Sequence, residues 1–334
     1  MTAAVMGGGS WGTTFAQVLC DAGNETVLWC RRPEVAEAIN STRRNPGYLP
    51  DVDLPDKLRA TSDAAEALSR ADVVVLAVPA QSLRQNLAGW TSLIKPSAIL
   101  VSLMKGIELD TGKRMSEVIA EVASWPPEQI ATVTGPNLAH EIAQRQYAAT
   151  VVACSDTQAA ENLQKACHTA YFRPYTNPDV TGCELGGAAK NPIAVAVGIA
   201  VGMGLGDNTR AMLITRGLAE IARLGTALGA DQHTFAGLAG MGDLVATCSS
   251  PLSRNRSFGE KLGKGVGLDE ILANTSQVVE GVTSSKAVVE LASRHSVEMP
   301  ITEVVAEVVY EALDVGQAAL MLASRSAKPE RYGL

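Results

Sequence analysis

The chain has 334 residues, more than one hydrophobic core normally serves, so two domains are expected. Its composition, 46% hydrophobic and 19% charged, is that of a folded globular protein, and its net charge of -7 argues against a general nucleic-acid or membrane-surface binder while leaving room for a local anion site. Six scattered cysteines (Cys20, Cys30, Cys154, Cys167, Cys183, Cys248) make no CxxC pair and read as reduced, hence cytoplasmic, and four histidines without ligand spacing point to no metal site.

In chain order, a short apolar run at 3–6 leads into GGGSWG at 7–12 and a helical stretch that stops near Gly23, which reads as strand, glycine turn, helix. A second apolar run at 26–30 ends in Arg31-Arg32, and Pro33 starts a helix. Further strands are expected at 58–61, 73–78, 99–102, 131–134, 150–153 and around 171–175, alternating with helical stretches. The continuous apolar run at 73–78 suits a strand covered on both faces, and Pro79 puts the next loop at its C-terminal edge, where such sheets bind ligands.

Beyond about residue 180 the strand signal stops. Residues 193–206 carry no polar side chain but are too few for a bilayer, so they read as a buried central helix opened by Lys190. Helical periodicity returns at 209–228, 284–294 and 302–313, the last with Thr302 as its expected N-cap. The predicted fold class is α/β: a Rossmann-type, mainly parallel sheet domain at 1–180 followed by an all-α domain at 181–334.

The glycine turn carries the first chemistry. A pyrophosphate needs backbone N–H groups unobstructed by Cβ atoms and aimed by a helix N-terminus. Gly7 and Gly9 suit the turn and the close approach, and Gly12 suits tight packing of helix on strand. The same letters contain GxSxG at 8–12, the pattern of a hydrolase nucleophile elbow, but only seven residues precede it, too few to build that sheet. At the end of the second strand, where an acidic residue would accept the ribose hydroxyls of NAD(H), two guanidinium groups suit a 2'-phosphate, so NADP(H) is expected to be preferred or accepted, with NAD(H) left open. A solvated arginine pair is the plainer alternative.

A dehydrogenase also needs a proton donor or acceptor and groups to hold its substrate. Lys190, Lys105, Asp243 in GMGD and the run Ser253-Arg254-Asn255 stand out as polar residues in apolar or glycine-rich surroundings. Each also fits a bland role, a solvated helix-start lysine or a surface basic cluster.

These residues fall in ordered blocks: GGGSWGT at 7–13, NPGYLP at 45–50, LMKGIE at 103–108, GPNLAHE at 135–141, GAAKN at 187–191, GLGDNTRAMLITRGLAEI at 204–221, GLAGMGDLVATCSSPLSRNRSFG at 237–259, VVEGVTS at 278–284 and MPIT at 299–302. In them the chain resembles the bacterial NAD(P)-dependent glycerol-3-phosphate dehydrogenases. The resemblance implies reversible reduction of dihydroxyacetone phosphate to sn-glycerol 3-phosphate, for glycerophospholipid synthesis, in a cytoplasmic homodimer. It implies Lys190 as general acid/base. Cofactor positions are Ser10, Trp11, Arg31, Arg32, Lys105, Ala139, Arg254, Val278 and Glu280, beside the turn glycines Gly7, Gly9 and Gly12. Substrate positions are Lys105, Gly135, Lys190, Asp243, Ser253, Arg254 and Asn255, with Arg254 serving both ligands. Two departures from the family pattern are Pro192, which suggests that the helix starts there, and Gly8 in place of alanine, expected to matter little. Alternatives are a related β-hydroxyacid-type reductase, separated by whether a substrate phosphate is required, and a dinucleotide-binding redox sensor, disfavoured by the acidic total and the lack of a basic recognition helix.

Overall fold

The computed structural model describes residues 1–274, 279–326 and 329–330. They group into two compact units, Met1–Met104 with Met115–Val180, and Lys105–Arg114 with Thr181–Leu334. The short stretch from Lys105 to Arg114 is thus encoded inside the first unit and packs in the second.

The first unit is one eight-stranded sheet. Its strands are β1 (Thr2–Met6), β2 (Glu25–Trp29), β3 (Arg59–Thr61), β4 (Val73–Leu76), β5 (Ile99–Ser102), β6 (Ile130–Thr134), β7 (Ala148–Cys154) and β8 (Phe172–Asn177). They run in the order β3-β2-β1-β4-β5-β6-β7-β8, every pair parallel except β6 with β7. The mainly parallel sheet expected from the strand-helix alternation is therefore present.

Successive residues feed opposite faces, as the two-residue period of a strand requires. Val5, Val73 and Val75 pack with Phe15 and Leu28 on one side, whereas Ala4, Met6, Val74 and Leu76 pack with Leu87 and Trp90 on the other. A strand buried on both faces has no use for alternation, which is why 73–76 reads as unbroken VVVL. Strand order reverses direction between β1 and β4, so the turns that follow these two strands open the crevice where doubly wound sheets bind ligands.

The second unit is helical in its described residues. Around the Val180–Gly202 helix stand Asp207–Ala227, Asp243–Ser249, Arg254–Gly263, Glu280–Arg294, Pro300–Tyr310 and Val315–Ala323. Among the described residues only Val180–Gly202 is long and apolar enough to cross a membrane, and every one of its residues from 182 to 200 is buried inside the protein.

Two expectations need correction. The central helix starts at Val180 and ends at Gly202, so Lys190 lies in its middle and Pro192 is internal rather than initial. Proline removes the N–H that would meet the Ala188 carbonyl, a cost of about 3 kcal/mol in an exposed helix. A helix buried along almost its whole length recovers more than that through packing. Thr302 is not the N-cap of its helix, which begins at Pro300 after Met299; its hydroxyl instead donates to Glu220 at 3.3 Å. A methyl group on Gly8 would meet the sulfur of Cys30, the tip of a side chain rather than backbone.

Candidate active site

The glycine turn sits at the C-terminal end of β1. Gly7 has φ +138°, open to glycine and strained for other residues, and a Cβ there would strike the Ala77 carbonyl in the turn after β4. A Cβ on Gly12 would strike the Gly7 carbonyl, so helix Ser10–Asp21 packs against its own strand only because position 12 is bare. Gly9, the N-cap of that helix, has open space where a Cβ would be, and no side chain caps it. Bare backbone at a helix N-terminus is an anion cradle. The turn therefore fits a dinucleotide pyrophosphate.

Nearby, Trp11 packs edge-on to Phe15 with centroids 5.6 Å apart, and its buried indole Nε1 has no hydrogen-bond partner. The Thr14 hydroxyl donates to the carbonyls of Ser10 at 2.9 Å and Ala139 at 3.2 Å, tying two of the predicted cofactor positions into one surface. Arg31 and Arg32 are exposed immediately after β2, with Arg32 3.9 Å from Glu34. Gly135 follows β6 with φ +138° and belongs to the first unit, whereas the other predicted substrate residues belong to the second.

The second unit holds a buried charge centre. Lys190 Nζ donates to Asp243 Oδ1 and to Thr247 Oγ1, each at 2.5 Å, and Lys105 Nζ donates to Asp243 Oδ2 at 2.7 Å. Asp243 is 1% exposed and Lys190 is 5% exposed. Desolvation drives the Lys190 ammonium down to about 8, with Asp243 opposing the fall and Lys105 adding to it. An amine near neutrality can both give and take a proton at physiological pH.

The elements explain the placement. Asp243 opens helix Asp243–Ser249, and Thr247 lies one turn on, so the two side chains share a face. Thr247 was not singled out from the sequence; its signal is that four-residue spacing from Asp243. Asn191 Nδ2 donates to the Lys105 carbonyl at 3.3 Å and its Oδ1 accepts from Asn255 Nδ2 at 2.9 Å, while Asn255 Oδ1 accepts from the Gly281 N–H at 2.9 Å. Asn255 thus uses both ends of its amide to join three segments. The Ser253 hydroxyl caps helix Arg254–Gly263 by accepting from the Arg256 N–H at 3.2 Å.

Glu280 begins helix Glu280–Arg294, and desolvation raises its carboxyl pKa against the pull of Arg254, Lys105 and Lys190. Lys105, Lys190 and Arg254 outnumber the acids Asp243 and Glu280, giving a locally cationic site in an acidic protein. The structure brings Lys105, Lys190 and Asp243 into direct contact and links Asn255 to them through Asn191. Val278 lies outside the described residues.

A doubly wound sheet with a bare glycine cradle, in one chain with a buried amine poised near neutral pH, is the equipment of a nicotinamide-dependent oxidoreductase. Comparison with known proteins narrows that class. The NAD-dependent glycerol-3-phosphate dehydrogenase N-terminus model matches residues 2–160, and the corresponding C-terminus model matches residues 179–320. The chain is 63% identical over 332 residues to the glycerol-3-phosphate dehydrogenase, NAD(P)+, of Thermobifida fusca strain YX, covering 99% of both proteins. It is 64% identical over 329 residues to that of Streptomyces coelicolor, covering 98% of both. Its structure is similar to that of glycerol-3-phosphate dehydrogenase from Coxiella burnetii, with TM-score 0.92 and 36% identity, over 97% of this chain and 99% of the other. The chain belongs to the NAD-dependent glycerol-3-phosphate dehydrogenase family.

Proposed function

We infer that this protein reduces dihydroxyacetone phosphate reversibly to sn-glycerol 3-phosphate with NADPH or NADH. The observation that carries the reading is the buried Lys190, held by Asp243 and Thr247 and depressed to about 8. When bound, the nicotinamide supplies or accepts the hydride at the C2 carbon. Two N–H groups of the Lys190 ammonium are committed to Asp243 and Thr247, so the third is left to give its proton to the C2 oxygen as the alcohol forms. In the oxidative direction the neutral amine takes that proton back.

Asp243 fixes the direction of the Lys190 side chain, and Lys105, held on its other oxygen, adds positive potential for a developing alkoxide. The cationic excess of Lys105, Lys190 and Arg254 suits a doubly charged phosphate, received at Arg254 with Ser253 and Asn255 at the helix start. Gly7, Gly9, Ser10, Trp11, Gly12 and Ala139 receive the dinucleotide in this reading, with Arg31 and Arg32 on a 2'-phosphate; Glu280 and Val278 complete the cofactor set and Gly135 the substrate set on the strength of the family resemblance. The first unit is then the NAD(P)-binding domain and the second the substrate domain. The same resemblance supports a cytoplasmic homodimer that supplies glycerophospholipid synthesis.

The test is nicotinamide absorbance in purified protein with dihydroxyacetone phosphate and either NADPH or NADH, beside unphosphorylated dihydroxyacetone. Phosphate-dependent oxidation is the expected result. Equal rates on both ketones would overturn the substrate assignment.

A further inference from the structure

The NPGYLP block at 45–50 has no task in the function proposed above, yet it is built rigidly against the glycine turn. Helix Pro33–Thr42 ends at Arg43 in a left-handed conformation, φ 57°. The Arg43 guanidinium donates to the Leu58 carbonyl at 2.9 Å, and the Leu54 N–H donates to the Arg43 carbonyl at 2.8 Å, so the segment between helix and β3 is closed at its neck. Leu49, Val52, Leu54 and Leu58 are buried in the same core as Phe15 and Leu28. The loop is thus anchored by its own apolar residues.

Asn45 is fully buried within it. The Asn45 carbonyl accepts the Tyr48 and Leu49 N–H groups at 3.2 and 2.8 Å, which turns its side chain inward. Its Nδ2 donates to the Gly8 carbonyl and to Thr13 Oγ1, each at 2.9 Å, while its buried Oδ1 has no partner. The Gly8 carbonyl and the Gly9 N–H belong to one planar trans peptide and point in opposite directions. Holding the carbonyl therefore aims the N–H, for which no acceptor stands among the described residues. Glycines alone leave that peptide free to rotate. The second bond, to Thr13, holds the first turn of the helix that follows.

We propose that Asn45 is a positioning residue for the dinucleotide pyrophosphate: without touching the cofactor, it clamps the Gly8 carbonyl and so presets the Gly9 N–H toward the anion. This rests on the dinucleotide reading of the turn. Because the loop is independently anchored, losing the amide releases the turn before it releases the loop.

The experiment measures ADP-ribose affinity by calorimetry, and the NADPH KM and kcat at saturating NADPH, for the wild type, Asn45→Ala and Asn45→Asp. Asn45→Ala should weaken ADP-ribose and raise the NADPH KM roughly tenfold, the size of one lost buried hydrogen bond, with kcat within about twofold. Asn45→Asp, which cannot donate and adds a negative charge, should lose more. Thr13→Val, which keeps the Gly8 bond and removes the other, should give the same pattern at roughly threefold and serves if Asn45 variants do not fold. Unchanged ADP-ribose affinity, or a kcat loss as large as the affinity loss, overturns the proposal. A wild type that binds ADP-ribose but turns over no dihydroxyacetone phosphate overturns the proposed function, and the ADP-ribose ranking then decides this inference alone. A wild type that binds no ADP-ribose overturns both.

Discussion

In the proposed function the two units reach their ligand chemistry by opposite means. In the first, the turn after β1 works through bare backbone: neighbouring carbonyls fill the space a side chain would need at Gly7 and Gly12, and the space beside Gly9 stands open. In the second, Lys190, Lys105, Asp243 and Thr247 matter for what they carry, in surroundings dry enough to depress an amine to about 8. Adding an atom should damage the first site, and removing one should damage the second.

The sharpest break is Lys190→Ala. Turnover should fall about a thousandfold, the usual worth of a general acid, while NADPH binding measured by fluorescence stays within about twofold; near-normal turnover would take the proton-transfer role away from Lys190. Gly12→Ala tests the opposite logic. The added methyl meets the Gly7 carbonyl, and overpacking of about 1–3 kcal/mol should weaken NADPH by roughly fivefold to a hundredfold while leaving kcat at saturation within about threefold.

The arginine pair sharpens the contrast, since Arg31 and Arg32 are the charged residues among the cofactor positions proposed in the first unit. Arg31→Ala with Arg32→Ala should weaken NADPH roughly tenfold or more and leave NADH unchanged; an unchanged ratio of the two affinities would show the pair to be solvated surface.

The pH profile separates the two directions of reaction. Reduction needs the Lys190 ammonium and should decline as pH rises through about 8, whereas oxidation needs the neutral amine and should climb through the same range. Rates that move together in both directions would point to a different titrating group.

The smallest effect concerns Glu220, buried between helices. It accepts from the Ile301 N–H at 2.8 Å and the Thr302 N–H at 3.3 Å, and desolvation raises its carboxyl to about 7 from 4.5. Its folded pKa lies above the unfolded one, so its stabilisation is present below about 4.5 and is lost as pH rises through about 7. Melting temperatures of Glu220→Gln should therefore drop less between about pH 5 and about pH 8 than those of the wild type, by a few degrees.

The sequence was most legible where a local rule decides the outcome. The glycine turn and the unbroken apolar β4 follow from backbone sterics and two-sided burial acting within a few residues. The buried helix was legible as buried but not in its extent. GCELGGAAKNP looks like a helix breaker, and only the packing of surrounding helices, distant in sequence, makes it helical. Likewise the Lys190–Asp243 contact spans 53 positions. Thr247 and Asn45 were missed because each acts through a partner that only the fold supplies. Asn255, expected as a phosphate receptor, also joins Asn191 to Gly281 through its amide, a link between segments distant in sequence.

The excursion of Lys105–Arg114 into the second unit also sets an order of events during synthesis. Those residues leave the ribosome well before Glu184, the partner of Arg114 at 2.8 Å, and before Asp243, the partner of Lys105. The sheet strands on either side, β5 and β6, pair with each other and can form while the segment waits. A fragment cut after residue 180 would keep this segment without its partners, exposing Ile107 and leaving Lys105 and Arg114 without these carboxylates. No single cut separates the two units; the chain must be nearly finished before the second can complete its charge centre.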